Sequence, residues 1–323
     1  MIENQVLQVE RITTCFDTPG GVITPVDDVS FVLPRGKTVG LLGESGCGKT
    51  VTNLSIMRLL PDHGRTTSGR VLLHNDDLLE MPESELRRIR GGRVSMIFQE
   101  PALSFNPYLR ISRQMIETLR YHSEMTMPQA RARAIQLLDE VGITDPANRI
   151  DYFPHQLSGG MLQRILIAIA VGCNAEVIIA DEPTSALDVT SQDLILDLMK
   201  GVTDRIGTSI LFVTHDLGVA AVMCDTICVM YAGRLVETAP ASAIYRKPKH
   251  PYTRALLKSI PPISGGGAGT LPAIPGHPPD LGNLPSGCAF HPRCPDAAEE
   301  CRETVPQLRQ IDGKHSVACF RAV

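Results

Sequence analysis

The sequence lacks an apolar run of about 18 residues, the length that a membrane-spanning helix requires. Its first ten residues carry charges where a secretion signal would have an apolar core. The formal net charge is −4 and both signs are mixed along the chain, so the basic stripe of a nucleic-acid binder is missing. These absences predict a soluble, cytoplasmic chain and disfavour a nucleic-acid partner.

No internal repeat and no sustained heptad pattern is visible in the 323 residues. That length allows one large domain with additions, or two domains. Four of the nine cysteines fall near the C-terminus. In a cytoplasmic chain such clustering favours a metal or cluster site over a disulfide framework.

A glycine-rich stretch fits the phosphate-binding pattern G-x-x-x-x-G-K-[ST] and lies between an apolar strand at 38–42 and a helix at 51–60. Its glycines allow the backbone to bend around phosphates, and the following helix N-terminus favours negative charge. Its members are Gly43, Glu44, Ser45, Gly46, Cys47, Gly48, Lys49 and Thr50. The stretch predicts a nucleotide site in which Lys49 and Thr50 supply an ammonium group and a Mg²⁺-binding hydroxyl.

A second apolar strand, residues 177–180, ends in two carboxylates. Asp181 is placed to hold the hydration shell of Mg²⁺, and Glu182 can orient or deprotonate water. This pair favours hydrolysis of the bound nucleotide over simple binding. The structural alternative for an Asp-Glu pair at a strand end is a helix N-cap or a solvated turn.

The remaining pattern predicts a mostly parallel α/β sheet. Strands are predicted at 5–13, 22–33, 94–98 and 209–213, and helices at 111–122, 127–141, 157–171 and 191–205. Residues 101–154 form a helical insertion. A glycine-rich linker is predicted at 264–269, followed by a tail too poor in apolar periodicity to have its own core.

Together these residues resemble the ATP-binding-cassette (ABC) ATPases over residues 5–245. The motifs come in the family's order: the phosphate loop, Gln99 after its strand, a signature at 157–161, Asp181 with Glu182, a D-loop at 185–188 and the switch His215. The resemblance implies a P-loop NTPase fold with an antiparallel β subdomain and a helical subdomain at about 101–160. Met161 stands where many members have Gln, a departure that leaves the serine and two glycines of the signature in place.

The resemblance also implies a role for each motif. Two subunits would pair head to tail, so that ATP on the phosphate loop of one is covered by Ser158, Gly159 and Gly160 of the other. Glu182, Gln99 and His215 would be catalytic, and Thr50, Gln99 and Asp181 would surround Mg²⁺. Phe16 would stack on adenine, although a lone aromatic residue is more often a packing residue.

Two stretches, 98–107 and 250–257, look like those of the oligopeptide and dipeptide importer ATPases, a group that also serves nickel and glutathione uptake. This implies an ATPase domain at 1–260 and a C-terminal extension at 261–323. The implied partners are two transmembrane permeases, a second ATPase subunit and, through the complex, a solute-binding protein at the cell membrane. The alternatives are a nickel or glutathione importer, or an ABC ATPase without a transport role.

The C-terminal cysteines, Cys288, Cys294, Cys301 and Cys319, have the spacing C-x5-C-x6-C-x17-C, which does not separate zinc from iron–sulfur. The resemblance favours a [4Fe–4S] cluster over zinc or free thiols. Cys47 is a separate case, since a helix N-terminus and Lys49 predict a lowered thiol pKa and a nucleotide site sensitive to alkylation.

Overall fold

The computed structural model of the chain describes residues 4–185, 187–259 and 274–322. The strands are β1 (Gln5–Thr18), β2 (Gly21–Pro34), β3 (Thr38–Leu42), β4 (Gly64–Leu73), β5 (Asp76–Asp77), β6 (Val94–Ile97), β7 (Val177–Asp181), β8 (Ser209–Thr214), β9 (Thr226–Tyr231), β10 (Arg234–Pro240), β11 (Arg309–Asp312) and β12 (His315–Val317). The helices are α1 (Lys49–Met57), α2 (Glu83–Ile89), α3 (Pro101–Ser104), α4 (Ile111–Tyr121), α5 (Met127–Glu140), α6 (Pro146–Arg149), α7 (Gly159–Gly172), α8 (Val189–Ile206), α9 (Leu217–Met223), α10 (Ala241–Arg246), α11 (Pro251–Lys258) and α12 (Glu300–Glu303). None of these helices is both long and apolar enough to cross a bilayer within the described residues.

The predicted strands and long helices are present, and the differences lie at their ends. Helix α1 begins at Lys49 and not at residue 51, because Gly48 adopts φ 109° at the N-cap, and it ends where Arg58 turns left-handed at φ 50°. Helix α8 begins directly after Asp188, whose carboxylate accepts a hydrogen bond from the Ser191 N–H at 3.0 Å. The predicted linker at 264–269, the predicted domain boundary at 260/261 and one D-loop residue, Ala186, lie outside the described residues.

The chain divides into two compact units. The first unit comprises Met1–Val6, Leu33–Lys37 and Glu80–Val213. Its strands β6, β7 and β8 run parallel in the order β8-β7-β6. All residues of β7 and β8 are buried, as expected of parallel strands covered on both faces. The C-terminal end of β7 therefore holds Asp181 at the edge of this sheet with its side chain still buried.

The second unit comprises Leu7–Val32, Thr38–Leu79 and Thr214–Val323. It contains a sheet of order β2-β1-β4-β5 and the run β3-β9-β10-β12-β11. Strands β3 and β9 are parallel, whereas β10 pairs antiparallel with both β9 and β12. The strand that leads into the phosphate loop and the strands of the C-terminal tail thus belong to one run of paired strands.

The described part of the C-terminal tail belongs to this second unit and packs against its other elements. Phe290 is 1% exposed. Its ring lies 5.2 Å from the ring of Tyr231 and 5.4 Å from that of Tyr252, between ring centroids. These aromatic edge contacts tie the tail to β9 and α11.

Candidate functional site

The phosphate loop connects β3 to α1 in a conformation that its glycines require. Gly46 and Gly48 have φ of 79° and 109°, in the left-handed region. A Cβ on Gly43 would lie 2.2 Å from the carbonyl oxygen of Met230, and one on Gly48 would lie 2.0 Å from that of Pro25. Positions 43 and 48 of the loop therefore have room for glycine alone.

Lys49 occupies the first position of α1 and is 6% exposed. Its Nζ donates hydrogen bonds to the carbonyl oxygens of Gly43 at 2.7 Å and Glu44 at 2.9 Å. The ammonium group is thus held across the loop, at a helix N-terminus whose N–H groups favour an anion. Ser45, Gly46 and Thr50 are exposed around it. The arrangement fits a polyphosphate.

Glu44 is fixed by two residues that sequence reasoning did not assign to the site. Its backbone N–H donates to the Tyr252 hydroxyl at 2.8 Å. Its carboxylate accepts two hydrogen bonds from Arg293, at 2.7 and 3.0 Å. Tyr252 lies in the stretch 250–257, which the sequence marked only as a subfamily signal, and Arg293 lies in the tail beside Cys294.

The prediction of a lowered pKa for Cys47 is wrong. The side chain is 6% exposed, and burial, which disfavours the thiolate, raises its pKa above the ordinary value despite the attraction of Lys49. The sequence showed the nearby charge and the helix N-terminus, but it could not show how deeply the thiol is buried.

In the first unit, Gln99 and Glu182 are in contact. Gln99 Nε2 donates to Glu182 Oε2 at 3.1 Å. Glu182 has a left-handed φ of 47° and its N–H donates to the carbonyl of Val213 at 2.9 Å. A non-glycine residue in this conformation carries strain that a fixed hydrogen bond offsets. Asp181, the last residue of β7, is 1% exposed.

The signature residues lie at the start of α7. Ser158 is its N-cap, and Ser158 Oγ accepts a hydrogen bond from the Met161 N–H at 3.3 Å. Gly159 and Gly160 form the first turn, and a Cβ on Gly159 would meet nothing within 4 Å. The helix N-terminus is therefore open to an approaching anionic group.

His215 and Phe16 lie in the second unit. His215 is exposed directly after β8, followed by Asp216, whose carboxylate accepts from the Val219 N–H at 3.0 Å and caps α9. Phe16 is half-buried near the end of β1, with its ring centroid 5.3 Å from that of His63. Their predicted roles at the γ-phosphate and at adenine stay predictions.

The four C-terminal cysteines border one cavity, together with His250 and His291. All four are free thiols, and burial raises the pKa of Cys288 to about 11. The cavity holds about 10 Å³ of water-accessible space, roughly one water molecule. Among the residues that the structure describes, no group of three or more His, Cys, Asp or Glu side chains is arranged to hold a metal ion. The thiols as they lie do not fit the expected [4Fe–4S] cluster or zinc.

Two family models match the chain. The model described as ABC transporter matches residues 26–185. The model described as oligopeptide/dipeptide transporter, C-terminal region, matches residues 236–301. The first match contains the phosphate loop, Gln99, the signature and the carboxylate pair, and the second contains Tyr252 and Arg293.

Relatives align with the chain over almost its whole length. The dipeptide transport ATP-binding protein DppD of Bacillus subtilis is 44% identical over 98% of this chain and 94% of its own. The oligopeptide transport ATP-binding protein OppD of Salmonella typhimurium is 42% identical over 99% and 95%. A solved ATP-binding cassette, a dimer in a post-hydrolysis state bound to ADP and phosphate, is similar with a TM-score of 0.67 and 26% identity, covering 73% of this chain and 98% of that one.

Proposed function

This chain belongs to the ATP-binding proteins of the ABC transporters, in the group that carries the oligopeptide/dipeptide C-terminal region, and we propose that it powers the import of di- or oligopeptides by hydrolysing ATP. The observation that carries the proposal is the phosphate loop, where Lys49 is held by two loop carbonyls at the N-terminus of α1. Relatives named for dipeptide and oligopeptide transport support peptides as the solute class.

The residues have separate tasks in the proposed reaction. Lys49 and the loop N–H groups bind the β- and γ-phosphates, and Ser158, Gly159 and Gly160 cover the nucleotide from a second subunit. Glu182, steadied by Gln99, takes the proton of the attacking water, while His215 contacts the γ-phosphate. In this assignment Phe16 lies against the adenine.

The oxygen donors of Thr50, Asp181 and Gln99 suit Mg²⁺, which prefers hard oxygen ligands. When bound, the ion would neutralise charge on the transferred phosphoryl group. The exposed hydroxyl of Thr50 lies in the first turn of α1, and the Asp181 carboxylate lies at the C-terminal end of β7.

We propose two permeases as membrane partners, with the chain on the cytoplasmic face and a solute-binding protein delivering the peptide. The chain pairs with a second ATP-binding cassette, which is either a copy of this chain or a similar subunit. In this arrangement residues 1–260 are the ATPase domain and 261–323 the extension. The helical residues 101–160 would face the permeases, and the exposed side chains of Leu103 (80%) and Tyr108 (87%) support this orientation.

A [4Fe–4S] cluster on Cys288, Cys294, Cys301 and Cys319 stays a hypothesis that would require the four thiols to move from their present positions. Their shared cavity supports it, and their present spacing does not. Iron and sulfide analysis of protein purified without oxygen tests it directly. Stoichiometric iron with visible absorbance would support the cluster, and its absence would exclude it.

The function is tested by isolating the chain in mild detergent from its native membranes and identifying its companions by mass spectrometry. Two multi-span permeases, with ATP turnover stimulated by a peptide-loaded binding protein, are the expected result. Lys49→Ala is the matched control, which should keep the same companions and lose turnover. Recovery of the wild type from the soluble fraction alone, or with ribosomes, would overturn the proposal.

A further inference from the structure

Arg293, in the C-terminal tail, forms a two-pronged ion pair with the phosphate loop. Its Nη1 and Nη2 donate to the two carboxylate oxygens of Glu44 at 2.7 and 3.0 Å. The Arg293 side chain is 6% exposed and that of Glu44 is 22% exposed. Parallel paired hydrogen bonds between a guanidinium and a carboxylate are the strong, orientation-specific form of this interaction.

The rest of the guanidinium is also occupied. Its Nε donates to the carbonyl of Pro275 at 2.9 Å, and Nη1 lies 3.3 Å from the Tyr231 hydroxyl. Its Cζ is 5.9 Å from the ring centroid of Tyr231 and 6.0 Å from that of Phe290. Because these contacts fix Arg293 from several sides, it presents a rigid fork to Glu44 and not a mobile surface charge.

Glu44 passes this constraint to the phosphate-binding ammonium group. Its carbonyl oxygen accepts a hydrogen bond from Lys49 Nζ at 2.9 Å, while its N–H is held by the Tyr252 hydroxyl at 2.8 Å. A shift of the Glu44 backbone would therefore move an acceptor that positions Lys49. The path from the tail to the Lys49 ammonium group runs through one residue: Arg293 holds the carboxylate of Glu44, and the carbonyl oxygen of Glu44 holds Lys49.

We propose that Arg293 is a positioning residue for nucleotide binding, through which the C-terminal tail sets the phosphate affinity of the loop. This inference rests on the proposed ATP-binding function. Arg293 acts in two ways: it fixes the carbonyl that orients Lys49, and it neutralises a carboxylate located within an anion-binding loop. Without the guanidinium, the charge of Glu44 would oppose the negative charge of the triphosphate.

The charge of Glu44 distinguishes this proposal from a general loosening of the fold, because only the proposal predicts that removing or screening that charge restores ATP affinity. Arg293→Ala should weaken ATP binding about tenfold, within the range of ordinary coupling between sites. Adding Glu44→Gln to that variant removes the uncompensated charge, so the double variant should bind ATP more tightly than Arg293→Ala alone. The deficit of Arg293→Ala should also shrink as salt is raised, because screening weakens the repulsion.

The experiment measures ATP affinity of the full chain by titration calorimetry, with thermal unfolding of every variant recorded without nucleotide. Arg254→Ala is the matched control, since it removes another ion pair to the tail, Arg254 with Asp296 at 2.5 Å, in which both side chains are 45% exposed. This control should keep wild-type affinity. If Arg293→Ala does not fold, Arg293→Lys carries the test, since it keeps the charge and loses the fork; it should bind about threefold more weakly.

The outcomes separate the two proposals. A wild-type chain that fails to bind ATP would overturn the proposed function itself. A wild type that binds, with Arg293→Ala or the folded Arg293→Lys binding equally well, would overturn only the positioning role. Equal losses in Arg293→Ala and Arg254→Ala would also overturn it, because they would indicate general loosening of the tail.

Discussion

Gln99 and Glu182 are joined by a hydrogen bond of 3.1 Å from the amide of the first to the carboxylate of the second. The bond links the loop after β6 to the residue that follows β7. It holds the carboxylate proposed as general base in one orientation.

Replacing Glu182 by Gln should therefore separate binding from hydrolysis. The amide keeps the size and the contact with Gln99 but cannot take a proton, so we expect ATP affinity to persist while turnover falls by about 10²- to 10⁴-fold. Glu176→Gln is the control, because Glu176 stands at the other end of β7, paired with Arg93 at 2.6 Å. The Glu176→Gln variant should release phosphate from ATP at a near-normal rate. A near-normal rate in Glu182→Gln would refute the role of Glu182 as general base.

The two left-handed glycines of the phosphate loop should differ in their tolerance of a methyl group. In Gly46→Ala the new Cβ has no neighbour within 4 Å, so the substitution costs only the strain of a left-handed backbone. That strain should lower the free energy of unfolding by about 1 kcal/mol. Gly48→Ala adds a collision with the Pro25 carbonyl, 2.0 Å from the new Cβ. We expect Gly48→Ala to lose ATP binding and to unfold at a clearly lower temperature than Gly46→Ala. Equal behaviour of the two variants would contradict this geometry.

Cys47 should react slowly with iodoacetamide at neutral pH. Burial raises its thiol pKa, so little thiolate is present, and access is restricted. Peptide mass spectrometry should find Cys47 labelled about tenfold more slowly than the partly exposed Cys15, with labelling rising as pH approaches and passes 9 and falling when ATP is bound. Cys47 labelled ahead of Cys15 would contradict the burial argument.

His250 should make the chain sensitive to acid. Burial lowers its pKa from 6.5 to about 3, and its Nδ1 accepts the Tyr252 N–H at 3.0 Å, which requires the neutral ring. The unfolded chain binds a proton between these values and the folded chain does not, so stability is complete above pH 6.5 and falls as pH drops towards 3.

From pH 7 to pH 5 this histidine alone removes about 2 kcal/mol of unfolding free energy. His250→Asn supplies a helix cap that does not titrate, so its denaturation midpoint should fall less over the same interval. Urea unfolding of both proteins at the two pH values measures the difference. Identical losses in the two proteins would show that His250 is not the group responsible.

The fold and the nucleotide motifs were predictable because each depends on residues that are close together in the sequence. Glycine spacing predicts the phosphate loop, and buried apolar runs predict β3, β6, β7 and β8. The contact of Gln99 with Glu182 follows the same logic, since both residues come soon after strands that pair with each other in parallel.

What the sequence could not predict depends on tertiary packing. The raised pKa of Cys47 depends on burial, which local residues did not reveal. Glu44 and Arg293 are separated by 249 positions, and nothing in either motif specifies the other as its partner. The tail strands β11 and β12 were also missed, because they are only four and three residues long and most of β11 is exposed, so they carry little apolar pattern.

The ion pair between Glu44 and Arg293 also has a consequence for folding during translation. The phosphate loop is synthesised 249 residues before the arginine that fixes it, a delay of roughly 12 to 50 s at ordinary rates of translation. Throughout that interval the loop is complete in sequence but lacks its tail partner. A nascent chain stalled before Arg293 would therefore carry an immature nucleotide site, and full ATP affinity would mark a chain whose translation has passed Arg293.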